Sequence, residues 1–270
     1  MKIVCLTVGL LVTGVHATGA ELQDGWQALK DYRAERALNV FDAAQNHPDA
    51  ATAREARFGR AVALLDDQPV TSAKLGEAHR LFSGLAGSGT DDFARGARFF
   101  LGRIAQHHAT QSEPAEARRH YRQLLNEHVD SIWAQTAISR LALLEIYTLN
   151  LEQPPADRIA ATEELLGYTR TPTAESELRY VIANAIFFYR LPSARALQHL
   201  LAAERLGRLG WNERRDVLVQ IAELSRLAGN ARQAAEYYRK FLAENPRDQR
   251  HYIVQERLAA LERESANIAP

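Results

Sequence analysis

The chain has 270 residues, with 33 basic and 33 acidic side chains, so its formal charge is zero. That balance argues against a general nucleic-acid binder, which needs a basic surplus to displace counterions. A hydrophobic content of 46% with 24% charged residues argues against a disordered chain.

The first segment, MKIVCLTVGLLVTGVHATGA, reads as a secretory signal over residues 1–20. Lys2 supplies the positive start, Ile3 to Val15 the apolar run, and Val15-His16-Ala17 the small residues that a signal peptidase reads. Cleavage is expected after Ala17 or Ala20, and the run is too short for a span of about 20 residues. Cys5, the only cysteine, falls inside this segment. The expected mature chain therefore has no thiol for a disulfide, an iron–sulfur cluster or a zinc site, and stability must come from core burial.

From residue 21 onward the pattern predicts helices only, read as one domain over 21–270. Glycine and proline fall between periodic apolar segments rather than inside them. His47-Pro48-Asp49 ends one helix and caps the next. Thr71-Ser72 opens a helix at about 73–86, and Gly87-Ser88-Gly89-Thr90 makes a loop with a cap. Ser112 is expected to cap the helix that starts at Pro114, and Ser131 a long helix reaching about Asn150. Thr171, Leu191-Pro192-Ser193, Asn212-Glu213 and Asp248 open the remaining helices. About thirteen helices result, and connections of about two to six residues make neighbours antiparallel.

An internal repeat runs through these helices. Ala37 is followed four residues on by Phe41, Ala78 by Phe82, Ala117 by Tyr121 and Ala234 by Tyr238; weaker copies are Ala161 with Leu165 and Ala196 with Leu200. Residues four apart share a helix face, so the small one admits a neighbouring helix and the large one fills the groove beside it. Successive alanines lie 41, 39, 44, 35 and 38 residues apart. A helical hairpin alone leaves an apolar face open, and stacking the hairpins covers it.

The segment 215–248 resembles a tetratricopeptide repeat, through Leu218, Ile221, Ala222, Gly229, Ala234, Tyr238 and Pro246. The first pair is similar through Ala37, Phe41, Ala44 and Pro48. The chain departs from the family pattern at Phe241, at Val129, and in a spacing that mostly exceeds the family's roughly 34 residues. The resemblance implies an all-α, right-handed α-solenoid of about six antiparallel helix hairpins. A C-terminal capping helix at 249–266 would turn Tyr252, Ile253, Leu258 and Leu261 inward. It also implies a concave groove lined by the first helices of the pairs, holding Phe99, Gln106, Val181, Phe188, Asp216, Glu223 and Arg226. The implied activity is non-enzymatic: a scaffold for protein–protein interaction, binding a peptide or helix of a partner without cofactor or metal. Analogy with envelope-assembly members of the family places it in the periplasm. The family's carboxylate-clamp residues have no matching set in this chain.

Other chemistry is sparse. Gly84, Gly87 and Gly89 lack the preceding strand and the Gly-Lys-Ser/Thr of a phosphate loop, and Asp91-Asp92 would repel a phosphate. The clusters Arg54/Arg57/Arg60, Arg118/Arg119/Arg122 and Arg205/Arg208/Arg214/Arg215 read mainly as solvated faces. The competing expectation is a small-ligand or metal-binding helical protein, or an enzyme, using a pocket between repeats. Its residues would be His107, His108 and His120, although adjacent histidines point about 100° apart on a helix. Self-association through the terminal repeat faces is a third expectation.

Overall fold

The structure is a computed structural model that describes residues 20–108 and 112–268. The expected signal, residues 1–20, lies outside the described residues apart from Ala20. Among the described residues there are thirteen α-helices and no strand. They are α1 Ala20–Lys30, α2 Ala34–Ala44, α3 Ala50–Asp66, α4 Ser72–Gly87, α5 Asp92–Arg103, α6 Pro114–His128, α7 Ile132–Tyr147, α8 Pro155–Glu163, α9 Pro172–Phe188, α10 Ser193–Leu206, α11 Trp211–Leu227, α12 Ala231–Glu244 and α13 His251–Ile268. A π-helical turn, Ile104–His108, continues α5, and a 3₁₀ turn, Glu164–Tyr168, continues α8.

Several helix starts follow the sequence signals. The side chains of Asp49, Thr71, Thr171 and Asn230 accept from backbone N–H groups three residues on, and Ser131 Oγ accepts from Ala134 N at 3.1 Å. Others differ. Asp91, not Thr90, caps α5. Pro114 occupies the first helical position behind Glu113, and Ser112 Oγ donates back to the Gln106 carbonyl instead of capping. Ser193 is already helical behind Pro192, and α11 begins at Trp211, ahead of Asn212.

Contacts divide the chain into two compact units, Met1–Leu141 and Ala142–Pro270, with the boundary inside α7. In the first unit each of α1 to α5 packs against the next helix, and α1 also meets α3, as α3 meets α5. The core is aromatic. Phe58 of α3 lies 5.8 Å, centroid to centroid, from Phe82, Phe100 and Trp133, and Trp26 lies 4.9 Å from Phe41. Each such pair adds about 0.5–1.5 kcal/mol beyond its buried area. Glycines make room for the rings. A Cβ at Gly59 would fall 2.4 Å from Phe41 Cε1, and one at Gly102 would fall 2.5 Å from Tyr121 Cε1. The Ala37/Phe41, Ala78/Phe82 and Ala117/Tyr121 pairs are all fully buried, as expected.

In the second unit the neighbours α8 to α13 pack consecutively, most extensively α9 with α10 and α11 with α12. Ala196/Leu200 and Ala234/Tyr238 are fully buried. Ala161/Leu165 is not a matching copy, because Ala161 is exposed while Ile159 and Thr162 are buried. The cause is local: α8 stops at Glu163 and tightens into the 3₁₀ turn, which shifts the helix phase before Leu165.

Three first helices end in the same hairpin turn. Tyr32, Arg190 and Gly229 have φ of 58°, 54° and 76°. The next N–H in each case reaches back to a carbonyl five residues earlier: Arg33 to Ala28, Leu191 to Ile186, and Asn230 to Ser225. This bond pattern satisfies helix-end carbonyls and reverses the chain. Only Gly229 adopts the left-handed conformation without a Cβ penalty.

Candidate recognition surface

The expected groove residues lie on α5 and its π-helical turn, on α9 and on α11. Phe99 is fully buried, 5.7 Å from Trp133 and 6.0 Å from Tyr121, so it belongs to the core of the first unit and not to an open groove. The reason is that α5 is enclosed: it packs against α3, α4 and α6, and Phe100, on its adjacent face, is buried as well. Gln106 is half-buried, and its Oε1 accepts from the Tyr121 hydroxyl at 3.0 Å.

Two of the α11 residues are occupied from within the chain. Asp216 pairs with Arg250 at 2.9 Å, and Glu223 pairs with Arg257. Glu223 also accepts from the Tyr238 hydroxyl at 2.5 Å and from Arg226 Nη2 at 3.2 Å. Burial opposes its charge, yet the bonds from Tyr238 and Arg226 hold its carboxyl below the usual range. Both pairs join residues 34 apart in sequence, and the second lies seven residues beyond the first on both sides, from Asp216 to Glu223 and from Arg250, just ahead of α13, to Arg257. Numbers rising together on both sides mean that α11 and α13 run in the same direction, linked by these side chains at an offset of 34 residues.

The core-facing side of α13 packs against α12. Val254 and Leu261 are buried and Leu258 is half-buried, whereas Tyr252 and Ile253 remain 72% and 48% exposed. The expectation that Tyr252 and Ile253 face inward is therefore corrected. With about 100° per residue, only one of three consecutive apolar residues can face the neighbouring helices, and here it is Val254.

The residues that keep open surface are on α9 and α11. Phe188 is 64% exposed, although its ring edge meets Tyr147 at 5.4 Å and Tyr189 at 4.9 Å. Val181, two turns earlier on α9, is half-buried. Arg226 is exposed; it bonds to Glu223 on its own helix and lies beside Tyr238 of α12. Leu227 beside it is 69% exposed. Phe188 and Leu227 each precede the left-handed turn residue by two positions, so equivalent places in two pairs display an apolar side chain.

Buried polar groups elsewhere hold helices together. Glu204 of α10 accepts from Lys240 Nζ of α12 at 2.6 Å and from Arg214 Nη2 of α11 at 3.3 Å. Arg54 clamps Asp91 at 2.5 Å and the Leu85 carbonyl at 3.0 Å, Arg57 donates to the Gln45 carbonyl at 3.1 Å, and Arg60 pairs with Asp42 and Glu77. That cluster thus ties α3 to its neighbours. His107 and His120 each have a partner other than a histidine. His107 is exposed with Nε2 3.3 Å from Arg140 Nη1, and His120 is buried in α6 with Nε2 3.1 Å from Glu116. Burial, with Arg119 nearby, pushes His120 down to about 4. The His108 side chain lies outside the described residues. Among the described residues no three His, Cys, Asp or Glu side chains are grouped to hold a metal ion, and no helix is long and apolar enough to cross a membrane.

No family model, curated protein or solved structure matches the chain.

Proposed function

We propose that the protein is an exported, tetratricopeptide-like scaffold that holds a peptide or helix of a partner protein against the exposed face of α9 and α11. In this reading the helical pairs form a right-handed solenoid of about six hairpins with α13 as cap. The compartment is the periplasm, and the role is non-enzymatic, in envelope assembly or secretion. The observation that carries the reading is Phe188, a large aromatic left open on a helix whose opposite face is core. Exposed aromatic anchors suit the docking of a short segment. The 34-residue offset between α11 and α13 supports the repeat assignment, since that is about the family's period.

The test is a pull-down from envelope extracts with wild type, Phe188→Ala and Arg226→Glu, each checked for helicity. Loss of the same bound protein in both variants is expected. Undiminished capture by both would refute the assignment. N-terminal sequencing of the protein from the expressing cell tests export separately: a mature start at Thr18 or Glu21 is expected, and an intact Met1 would contradict it.

A further inference from the structure

We propose that α13 is a self-association helix, through which two copies of this chain pair with their α13 outer faces antiparallel. The partner chemistry is read from the face itself. Val254 and Leu261 point inward, and at about 100° per residue the opposite side of the helix holds Tyr252, Glu256, Ala259, Ala260 and Arg263. This side is largely open among the described residues: Tyr252 is 72% exposed, Glu256, Ala259 and Arg263 are exposed as well, and Ala260 is half-buried. A shallow open depression lies here, lined by Glu256, Ala259, Glu262 and Arg263. By the 34-residue offset, α13 stands where the first helix of a further pair would stand.

The charges on the face make it complementary to itself. Glu256 and Arg263 are two turns apart, on either side of Ala259 and Ala260. Arg263 donates only to its own Ala259 carbonyl, at 3.3 Å. Among the described residues neither Glu256 nor Arg263 has an ion-pair partner. Glu262, by contrast, is taken by Arg239 at 2.6 Å. A two-fold axis between Ala259 and Ala260 sets Glu256 of each copy opposite Arg263 of the other. The alanines on the axis let the two helices approach closely. A parallel arrangement would instead set Glu256 against Glu256. The contact covers about three helical turns, below the roughly 1,200 Å² of a stable interface, so the dimer is a weak one that forms at high concentration. It stands apart from the peptide-binding reading, because it uses neither Phe188 nor Arg226.

The experiment is sedimentation equilibrium of the mature protein at loadings up to ~1 mM, well into the weak-affinity range. Wild type is expected to show a monomer–dimer equilibrium. Glu256→Arg and Arg263→Glu, each with unchanged far-UV circular dichroism, are expected to weaken it by about tenfold or more, the equivalent of one lost close ion pair per half-interface. An equal mixture of the two variants is expected to regain dimer. In the mixed pair the introduced arginine of the first variant faces the introduced glutamate of the second, and the native Arg263 of the first faces the native Glu256 of the second. A monomeric wild type, a dimer unaffected by either reversal, or a mixture that stays monomeric would overturn the proposal.

Discussion

Replacing Gly59 by alanine should destabilise the first unit, although alanine is the better helix former. The new Cβ would lie 2.4, 2.5 and 2.7 Å from three carbons of the Phe41 ring, where about 3.5–4.0 Å is the favourable distance. The ring must therefore move by about 1 Å or more. It has no free side to move to: Phe41 is fully buried, Trp26 is 4.9 Å away edge-on, and Gly25 meets the ring on another side. Overpacking of this kind costs about 1–3 kcal/mol. Removing a mid-helix glycine returns up to about 1 kcal/mol. A net loss of about 1–2 kcal/mol is expected. Gly76 of α4 is the control, an exposed helical glycine with nothing within 4 Å of a new Cβ. There the helix term acts alone, and Gly76→Ala should gain about 0.5–1 kcal/mol. Urea unfolding of both variants measures the difference. In the double variant Gly59→Ala/Phe41→Leu the two costs should fall short of additive by about 1 kcal/mol, as expected for residues in contact. If Gly59→Ala proved as stable as the wild type, the claim that Phe41 wedges between α1 and α3 would be wrong.

His120 makes stability depend on pH. Its folded value, pushed down to about 4 from 6.5, means that the folded state disfavours the proton. The stabilisation is complete above about pH 6.5 and is lost as pH falls through that value toward 4, about 3 kcal/mol in all. Glu116, Arg119 and Arg98 are the charged groups around it. Urea midpoints between about pH 7 and 4.5 should fall more steeply for wild type than for His120→Gln, and equal slopes would contradict the burial argument. Arg190→Gly should stabilise by about 1 kcal/mol by relieving a left-handed non-glycine residue, while Gly229→Ala should cost about 1–2 kcal/mol; thermal unfolding that shows no such opposition would undermine the shared turn. Reversing Glu223 alone (Glu223→Arg) should loosen α13, with hydrogen exchange at Val254 and Leu261 rising. The double reversal with Arg257→Glu should restore part of that protection through the exchanged pair.

The helical class was legible because its signals are local. Asp49, Thr71, Ser131, Thr171 and Asn230 each act on an N–H three residues away, and four of the alanine–aromatic pairs required only one helix face. What failed depended on neighbours distant in sequence. Phe99 and Phe188 look alike in the chain, yet one is enclosed by α3, α4 and α6 while the other is open. Asp216 and Glu223 carried the correct spacing for one face, but their partners lie 34 residues away on α13. The run Tyr252-Ile253-Val254 gave no local reason to choose which residue faces inward; the choice is seen only where α13 packs against α12, with Val254 buried. The phase slip after Glu163 likewise had no mark in the spacing of Ala161 and Leu165.

The most direct measurement of the central claim is site-specific photocrosslinking in the cell that makes the protein. A photoreactive phenylalanine replaces Val181 or Phe188 on α9, or Arg226 on α11, with Gly76 and Gly84 on the exposed side of α4 as controls. The account predicts one common partner protein crosslinked from all three α9 and α11 positions and from neither control. A partner captured equally from α4, or none captured from Phe188, would contradict it.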